Sequence, residues 1–482
     1  MLSNLRARLY EPRHGVRNGN TSEGSPVIGI GGAVPRADRL KQAHQSLETE
    51  DLFRPVTKFS VEIEDPDAIA EVTANAFRAA ESGRPGAAFI SFPYDVSHGP
   101  ADDCVLTPVT PAELGAGDAD ALGQAAEVLK SAKAPVALLG MMASRPGTAE
   151  SIRAFLKQTG IPAVSTFQGG GVVSKDMTGQ FGGRVGLFGN QPGDRLLAQA
   201  DTVITFGYDP IEYDESLWNA GNDRPVIHVD CVPSDIDRNY RPAVEIVANI
   251  GAAANALSAL LAEHAVPPNQ LVADVRAELD GIKNRGVSED PFPVHPLRLI
   301  EEMRKIMTPG TTVALDMGSF HIWNARYLHA FRPNQIMVTN GQQTLGVAMP
   351  WTIAVTLARP DDTVISVSGD GGFHFSSQEL ETAVRLGCNF THIVWRDGHY
   401  NMFQFQEQLK YGRDSGVSFG PIDNVAFAKA HGATGLAVEN TQGIAATLAK
   451  AINTPGPTIV EIPVDYSHHQ ELAQQLLADQ IV

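Results

Sequence analysis

Along the chain, short runs of apolar residues alternate with longer segments whose apolar positions recur at helical spacing, and this alternation occurs in three blocks. In the first block, Pro26–Ile30 and Ala87–Phe92 read as strands buried on both faces, with a helix over Pro66–Ala80 between them. The second block carries strand-like runs at Pro135–Gly140, Ile161–Ser165, Thr202–Gly207 and Pro225–Asp230, and a helix over Thr148–Gly160 that closes on glycine. The third has strands at Thr311–Asp316, Thr363–Ser368, Phe390–Trp395 and Thr458–Ile462, with helices at Ser377–Leu386 and Asn424–His431. Strands that alternate with helices imply parallel sheets covered on both faces. The expected fold class is therefore α/β, with three doubly wound parallel-sheet domains of which the first is incomplete. Stretches rich in Pro, Gly and Asp near Gly99–Asp118 and Asn284–Pro296 serve as expected linkers. They divide the chain into residues 21–105, 115–283 and 295–482, preceded by a leader at 1–20.

With 482 residues, 43% hydrophobic and 19% charged, the chain suits a multidomain globular enzyme rather than a disordered or repeat protein. Its 55 acidic against 37 basic residues give a formal charge of -18, which argues against nucleic acid or an anionic membrane as partner. Three separated cysteines form neither a disulfide framework nor a zinc cluster, and the cytoplasm is the expected compartment. The leader carries Arg6, Arg8, Arg13 and Arg17 against Glu11, without the apolar core of a secretory signal.

The strongest chemical signal is Gly369-Asp370-Gly371 after one strand and Asp397-Gly398-His399 after the next. Asp370 and Asp397 thus fall at the carboxyl ends of two strands one βαβ unit apart, where doubly wound sheets bind ligands. Two carboxylates there suit Mg²⁺, which takes one or two protein carboxylates and completes its shell with diphosphate oxygens. The glycines at 369 and 371 allow close backbone approach to phosphate. Two independent Asp-Gly turns would give the same letters.

The run GDGGFHFSSQELETAVRLGCNFTHIVWRDGHYNM resembles the thiamine-diphosphate motif. RADRLKQAHQSL (36–47), GRVGLFGNQPGDRLL (183–197), MGSFHIWNARYL (317–328) and NGQQTLGVAMPW (340–351) narrow the resemblance to catabolic, FAD-independent acetolactate synthases. It covers the chain from about residue 21 onward. It implies three domains of the thiamine-diphosphate enzyme type, and the condensation of two pyruvate molecules to 2-acetolactate and CO₂ with thiamine diphosphate and Mg²⁺. It also implies a homodimer or homotetramer whose cofactor lies between subunits. Asp370, Asp397 and the carbonyl of His399 would bind the metal. Ser319 and His321 would contact the diphosphate beside Gly369, Gly371 and Gly372, and Gly341 and Gln342 would support the aminopyrimidine. Leu345 would wedge between the cofactor's two rings. Met402, Phe403 and Gln406 would line the substrate end, and Gln45 would reach the cofactor from the N-terminal domain. Structural readings remain for several of these: a core leucine at 345, a structural histidine at 321, and core aromatics at 403 and 405.

In this family a glutamate in a His-Glu-Gln-like context early in the N-terminal domain activates the cofactor, and no such segment occurs in this sequence. The expectation is a chain lacking the first part of that domain and making little acetolactate alone. Two other functions compete: a non-oxidative 2-oxo acid decarboxylase, in which a proton instead of a second pyruvate captures the two-carbon unit, and a non-catalytic remnant that binds cofactor or a partner chain. A nicotinamide or flavin oxidoreductase is disfavoured, because Gly29-Ile30-Gly31-Gly32 lacks the final glycine of the dinucleotide fingerprint.

Overall fold

The computed structural model describes residues 24–102, 105–106, 109, 112–186, 189–267, 269–339, 341, 343–469 and 472. Three all-parallel sheets organise them. The first has three strands, β1 (Val27–Ala33), β2 (Phe59–Glu62) and β3 (Ala87–Pro93), in the order β1-β3-β2. The second has six, β4 (Pro135–Leu139), β5 (Ala163–Ser165), β6 (Phe181–Arg184), β7 (Thr202–Phe206), β8 (Val226–Asp230) and β9 (Val244–Val247), ordered β6-β5-β4-β7-β8-β9. The third also has six, β10 (Thr311–Leu315), β11 (Ile336–Met337), β12 (Thr363–Gly369), β13 (Phe390–Arg396), β14 (Thr434–Ala437) and β15 (Pro457–Pro463), ordered β11-β10-β12-β13-β15-β14.

Burial explains which strands the apolar pattern marked. β4, β7, β8 and β10 are buried at every position and read as continuous apolar runs. Val136 and Leu138 pack into one core while Ala137 and Leu139 pack into another on the opposite face. The third sheet repeats this: Val313, Leu315, Ile365 and Val367 face one core, and Val364, Val394 and Ile459 face the other. The edge strands β9 and β14 and the two-residue β11 lack such runs, which is why apolar runs alone did not mark them. In the first sheet β3 is the buried centre, whereas β2 is half-buried throughout and β1 is partly exposed.

Several expected bounds shift. The helix expected over Pro66–Ala80 begins as a 3₁₀ turn at Pro66–Ala68 and runs as α-helix over Ile69–Glu81. The helix at Thr148–Thr159 ends on Gly160 with φ 71°, the left-handed cap its glycine signalled. The stretch expected to be a linker from Asn284 is in part the end of a 19-residue helix, Gln270–Ser288, whose Val272 and Val275 are buried. The helix expected over Ser377–Leu386 runs over Glu379–Arg385, and a further helix, Asp370–Ser376, precedes it, so helix starts directly at the Gly-Asp-Gly run. Among the described residues no helix is long and apolar enough to cross a membrane.

Candidate active site

In the third sheet the chain leaves β10 toward β11 on one side and then crosses to β12 and β13 on the other, so the strand order reverses between β10 and β12. The carboxyl ends of these two strands are the switch point at which such sheets bind ligands. Met317-Gly318-Ser319 follow β10 there, and Asp370-Gly371-Gly372 follow β12. A cleft opens at this point, lined by those residues together with Phe320, Leu345, Gly369, Trp395, Asp397, His399, Tyr400, Asn401, Met402, Phe403 and Tyr466.

Asp370 is 5% exposed, and its Oδ2 accepts the backbone N–H groups of Asp397 at 2.9 Å and Gly398 at 2.6 Å. One carboxylate thereby fixes the turn that carries the other. Burial raises the Asp370 carboxyl above its usual range, opposed by these two N–H donors. Burial and then the negative charge of Asp370 push Asp397 up to about 6. Two partly desolvated carboxylates side by side are electrostatically unfavourable without a cation. Among the described residues no cluster of three or more His, Cys, Asp or Glu side chains forms a metal cage. A pair of carboxylates beside a backbone carbonyl instead suits an octahedral dication that takes its remaining ligands from phosphate and water.

The glycines are sterically required. A Cβ on Gly371 would stand 2.2 Å from the Tyr400 ring, and one on Gly372 would stand 2.8 Å from Asp316 Oδ1. Ser319 opens the nine-residue helix Ser319–Tyr327, an end whose free N–H groups favour anions. Its hydroxyl donates to Asn401 Oδ1 at 2.6 Å, and Asn401 in turn hydrogen-bonds the Asp397 carboxylate. Helix-start donors and hard oxygen ligands therefore converge in a chemistry that fits a magnesium diphosphate.

The comparisons with known proteins agree in kind. The central domain of thiamine pyrophosphate enzymes matches residues 122–257, and their C-terminal TPP-binding domain matches residues 316–462. The chain is 47% identical to the catabolic acetolactate synthase of Raoultella terrigena over 96% of this chain and 83% of that protein. It is 44% identical to the acetolactate synthase of Bacillus subtilis strain 168 over 96% of this chain and 81% of that protein. A probable acetolactate synthase large subunit of Methanococcus aeolicus is 25% identical over 92% of this chain and 78% of its own length. The chain belongs to the acetolactate synthase family of thiamine pyrophosphate enzymes.

Of the residues expected in this family's site, Ser319, Leu345, Gly369, Asp370, Gly371, Gly372, Asp397, His399 and Met402 line the cleft, and four others do not. His321 lies two residues beyond Ser319 on the same helix, a rotation of roughly 200° that turns it to the opposite face. It is 2% exposed with Nε2 unpartnered, and burial lowers its pKa to about 4. Gln406 is exposed on the helix Asn401–Tyr411, about 6 Å along the axis from Met402 and beyond the cleft. Gln45 is exposed with φ 61°, and Gly341 is half-buried, and neither lines the cleft of its own chain. Gln342 lies outside the described residues.

Residue patterns did not single out Tyr400, Asn401 or the buried Asp316. Asn401 had a signal, being a polar residue that opens a helix directly after the metal turn. The central sheet also has a switch point, between β4 and β7. Glu212 fills it: its carboxyl is buried and accepts from Met141 N–H at 2.9 Å and from the Thr166 hydroxyl at 2.6 Å. A Cβ on Gly140 would lie 2.3 Å from Gly207 O and 2.7 Å from Glu212 Oε2, so backbone and carboxyl close over the strand ends.

Proposed function

We propose that this chain condenses two molecules of pyruvate to 2-acetolactate with release of CO₂, holding thiamine diphosphate and Mg²⁺ in the cleft between the ends of β10 and β12. The observation that carries this reading is the convergence of Asp370, Asp397, the glycine pair and Ser319 at that switch point, in a chain of the acetolactate synthase family. Bound there, thiamine diphosphate supplies the electron sink for the carbanion left when pyruvate loses CO₂. Asp370, Asp397 and the His399 carbonyl hold the metal that neutralises the diphosphate. Gly371 and Gly372 keep their turn close to the phosphates, and the helix start at Ser319, whose hydroxyl is committed to Asn401, offers backbone N–H groups. Leu345, half-buried in the cleft wall, would wedge between the cofactor's two rings, and Gly341 and Gln342 are assigned by the family resemblance to support the aminopyrimidine. Met402 and Phe403 give the cleft an apolar rim, and the bulk of Phe403 there favours a small 2-oxo acid.

A homo-oligomer follows from the same reading. Gln45 is exposed and does not line the cleft of its own chain, as the reading that it reaches the cofactor of another subunit requires, and Gln406 is exposed on a helix that buries none of its residues within the chain. The functional units are residues 21–105, 115–283 and 295–482, and the compartment is the cytoplasm.

The test is to incubate the purified chain with pyruvate, Mg²⁺ and thiamine diphosphate and to separate acetolactate from acetaldehyde. Acetolactate is expected as the main product, made slowly by this chain, whose sequence carries no His-Glu-Gln-like acid to activate the cofactor. Acetaldehyde as the main product would make the chain a decarboxylase, and neither product at saturating cofactor would remove catalysis from the reading.

A further inference from the structure

One carboxylate beneath the cleft touches three of the segments that form it while lining none of it. Asp316 ends the β10 side of the switch point and is 1% exposed. Its Oδ1 accepts the N–H of Met317 at 2.8 Å and of Gly346 at 2.9 Å, and its Oδ2 accepts the N–H of Ala348 at 3.0 Å. The helix Ala348–Ala358 has no side-chain cap from its own N-cap residue, Val347, so Asp316 satisfies its first N–H groups from across the sheet. On its other side the carboxylate meets the Gly-Asp-Gly-Gly segment, since a methyl on Gly372 would come within 2.8 Å of Oδ1. Gly346 is itself constrained, with φ +82° and a position where a Cβ would stand 2.9 Å from Phe375 Cβ.

Burying a carboxylate costs free energy that an apolar residue would not, and three backbone hydrogen bonds offset that cost only while the geometry is kept. What the arrangement controls is the residue directly before Gly346. Leu345 lines the cleft, and the register of the turn at 345–348 decides where its side chain stands relative to Asp370 and Ser319.

We propose that Asp316 is a positioning residue: by pinning the 345–348 turn to the end of β10 and against Gly372, it holds Leu345 at the fixed height at which the bend of thiamine diphosphate is supported. This rests on the thiamine diphosphate reading and adds to it a division of labour. The carboxylates and glycines hold the diphosphate end, and Asp316, acting through Leu345, sets the ring end.

The experiment separates the two ends by comparing magnesium pyrophosphate with thiamine diphosphate as titrants of the parent chain and of Asp316→Asn. The substitution keeps size but places an amide N–H₂ among N–H donors. Pyrophosphate affinity is expected to stay within about threefold of the parent, whereas thiamine diphosphate affinity falls roughly tenfold or more. The near-UV circular dichroism induced in the bound cofactor is expected to be lost at saturation. Leu345→Ala should show the same split, and the double variant should be no worse. Parent-like thiamine diphosphate affinity and dichroism in Asp316→Asn would overturn the proposal, as would an equal fall in both affinities, which a merely structural role produces. Should Asp316→Asn fail to unfold cooperatively, Asp316→Glu displaces the same carboxylate without removing its charge. It must then show the split, and parent-like behaviour in it would overturn the proposal. If the parent binds neither titrant, the functional reading falls together with this one. If the parent binds both and the variants match it, only the positioning role falls.

Discussion

The central and C-terminal sheets are two six-stranded parallel sheets with a strand-order reversal at comparable places, and among the described residues the two reversals are filled differently. Between β4 and β7 the strand ends are followed by Gly140 and Gly207, which pack so closely that neither tolerates a side chain, and the Glu212 carboxyl fills the remaining space. Between β10 and β12 the corresponding turns carry Ser319 and Gly371-Gly372, the two glycines also packed too closely for side chains, but among the described residues no carboxyl group plugs the strand ends and two carboxylates line the cleft instead. The carboxyl groups are used in opposite senses. Burial pushes Glu212 up to about 8, so near neutral pH it is largely protonated and serves as a hydrogen-bonded filler. Asp370 and Asp397, also raised, stand in pairs beside the cleft, where a dication would restore their charged forms. Topology fixes where a ligand can go, and the residues at the strand ends decide whether one does.

The largest effect that can break this comparison is at Glu212. Glu212→Ala should destabilise the chain by about 3 kcal/mol, because it leaves a cavity and strips partners from the buried Met141 N–H and Thr166 hydroxyl. Glu212→Gln, which resembles the protonated acid, should cost under about 1 kcal/mol near pH 7. Denaturant unfolding of both variants measures the difference, and equal losses would show that Glu212 is held as a charge. The raised carboxyl also has a signature in pH. The folded state keeps a proton that the unfolded chain releases above its ordinary value of 4.5, so this group's contribution falls as pH rises from about 4.5 to 8. That slope should vanish in Glu212→Gln.

An effect of opposite sign in pH belongs to the C-terminal sheet. His392 lies on β13, fully buried, with its two ring nitrogens bonded to Ser366 Oγ at 2.7 Å and Ser368 Oγ at 2.8 Å on β12. Burial lowers its pKa from 6.5 to about 3. The unfolded chain takes up a proton below 6.5 that the folded state refuses, so stability present above that pH is lost as pH falls from about 6.5 toward 3. His392→Gln should flatten the acid limb by about one proton, roughly 1.4 kcal/mol per pH unit in that window. An unchanged acid limb would mean that His392 protonates in the folded state.

The strands buried on both faces were legible in the sequence because continuous apolar runs have few other uses, and β4, β7, β8, β10, β12, β13 and β15 fall within a residue or two of their expected bounds. Edge strands such as β9, with its alternating burial, and the two-residue β11 carried no such signal. The cleft was legible where chemistry and spacing coincide, as at Asp370 and Asp397. It was illegible where a side chain acts through packing. Asp316 looks like any acid that ends a strand, and only the three-dimensional meeting of β10, the 345–348 turn and Gly372 shows what it holds. His321 and Gln406 illustrate the converse: helical rotation turns His321 away from Ser319, and Gln406, on the same face as Met402, lies a turn further along its helix, beyond the cleft.

The claim that the cleft between β10 and β12 is a magnesium diphosphate site is tested most directly by calorimetric titration of thiamine diphosphate into the chain with Mg²⁺ and with a chelator, beside Asp370→Ala and Asp397→Ala. One site per chain is predicted, dependent on Mg²⁺ and weakened roughly a hundredfold or more by either substitution. Undiminished affinity in both variants, or equal binding with and without the metal, would contradict the assignment.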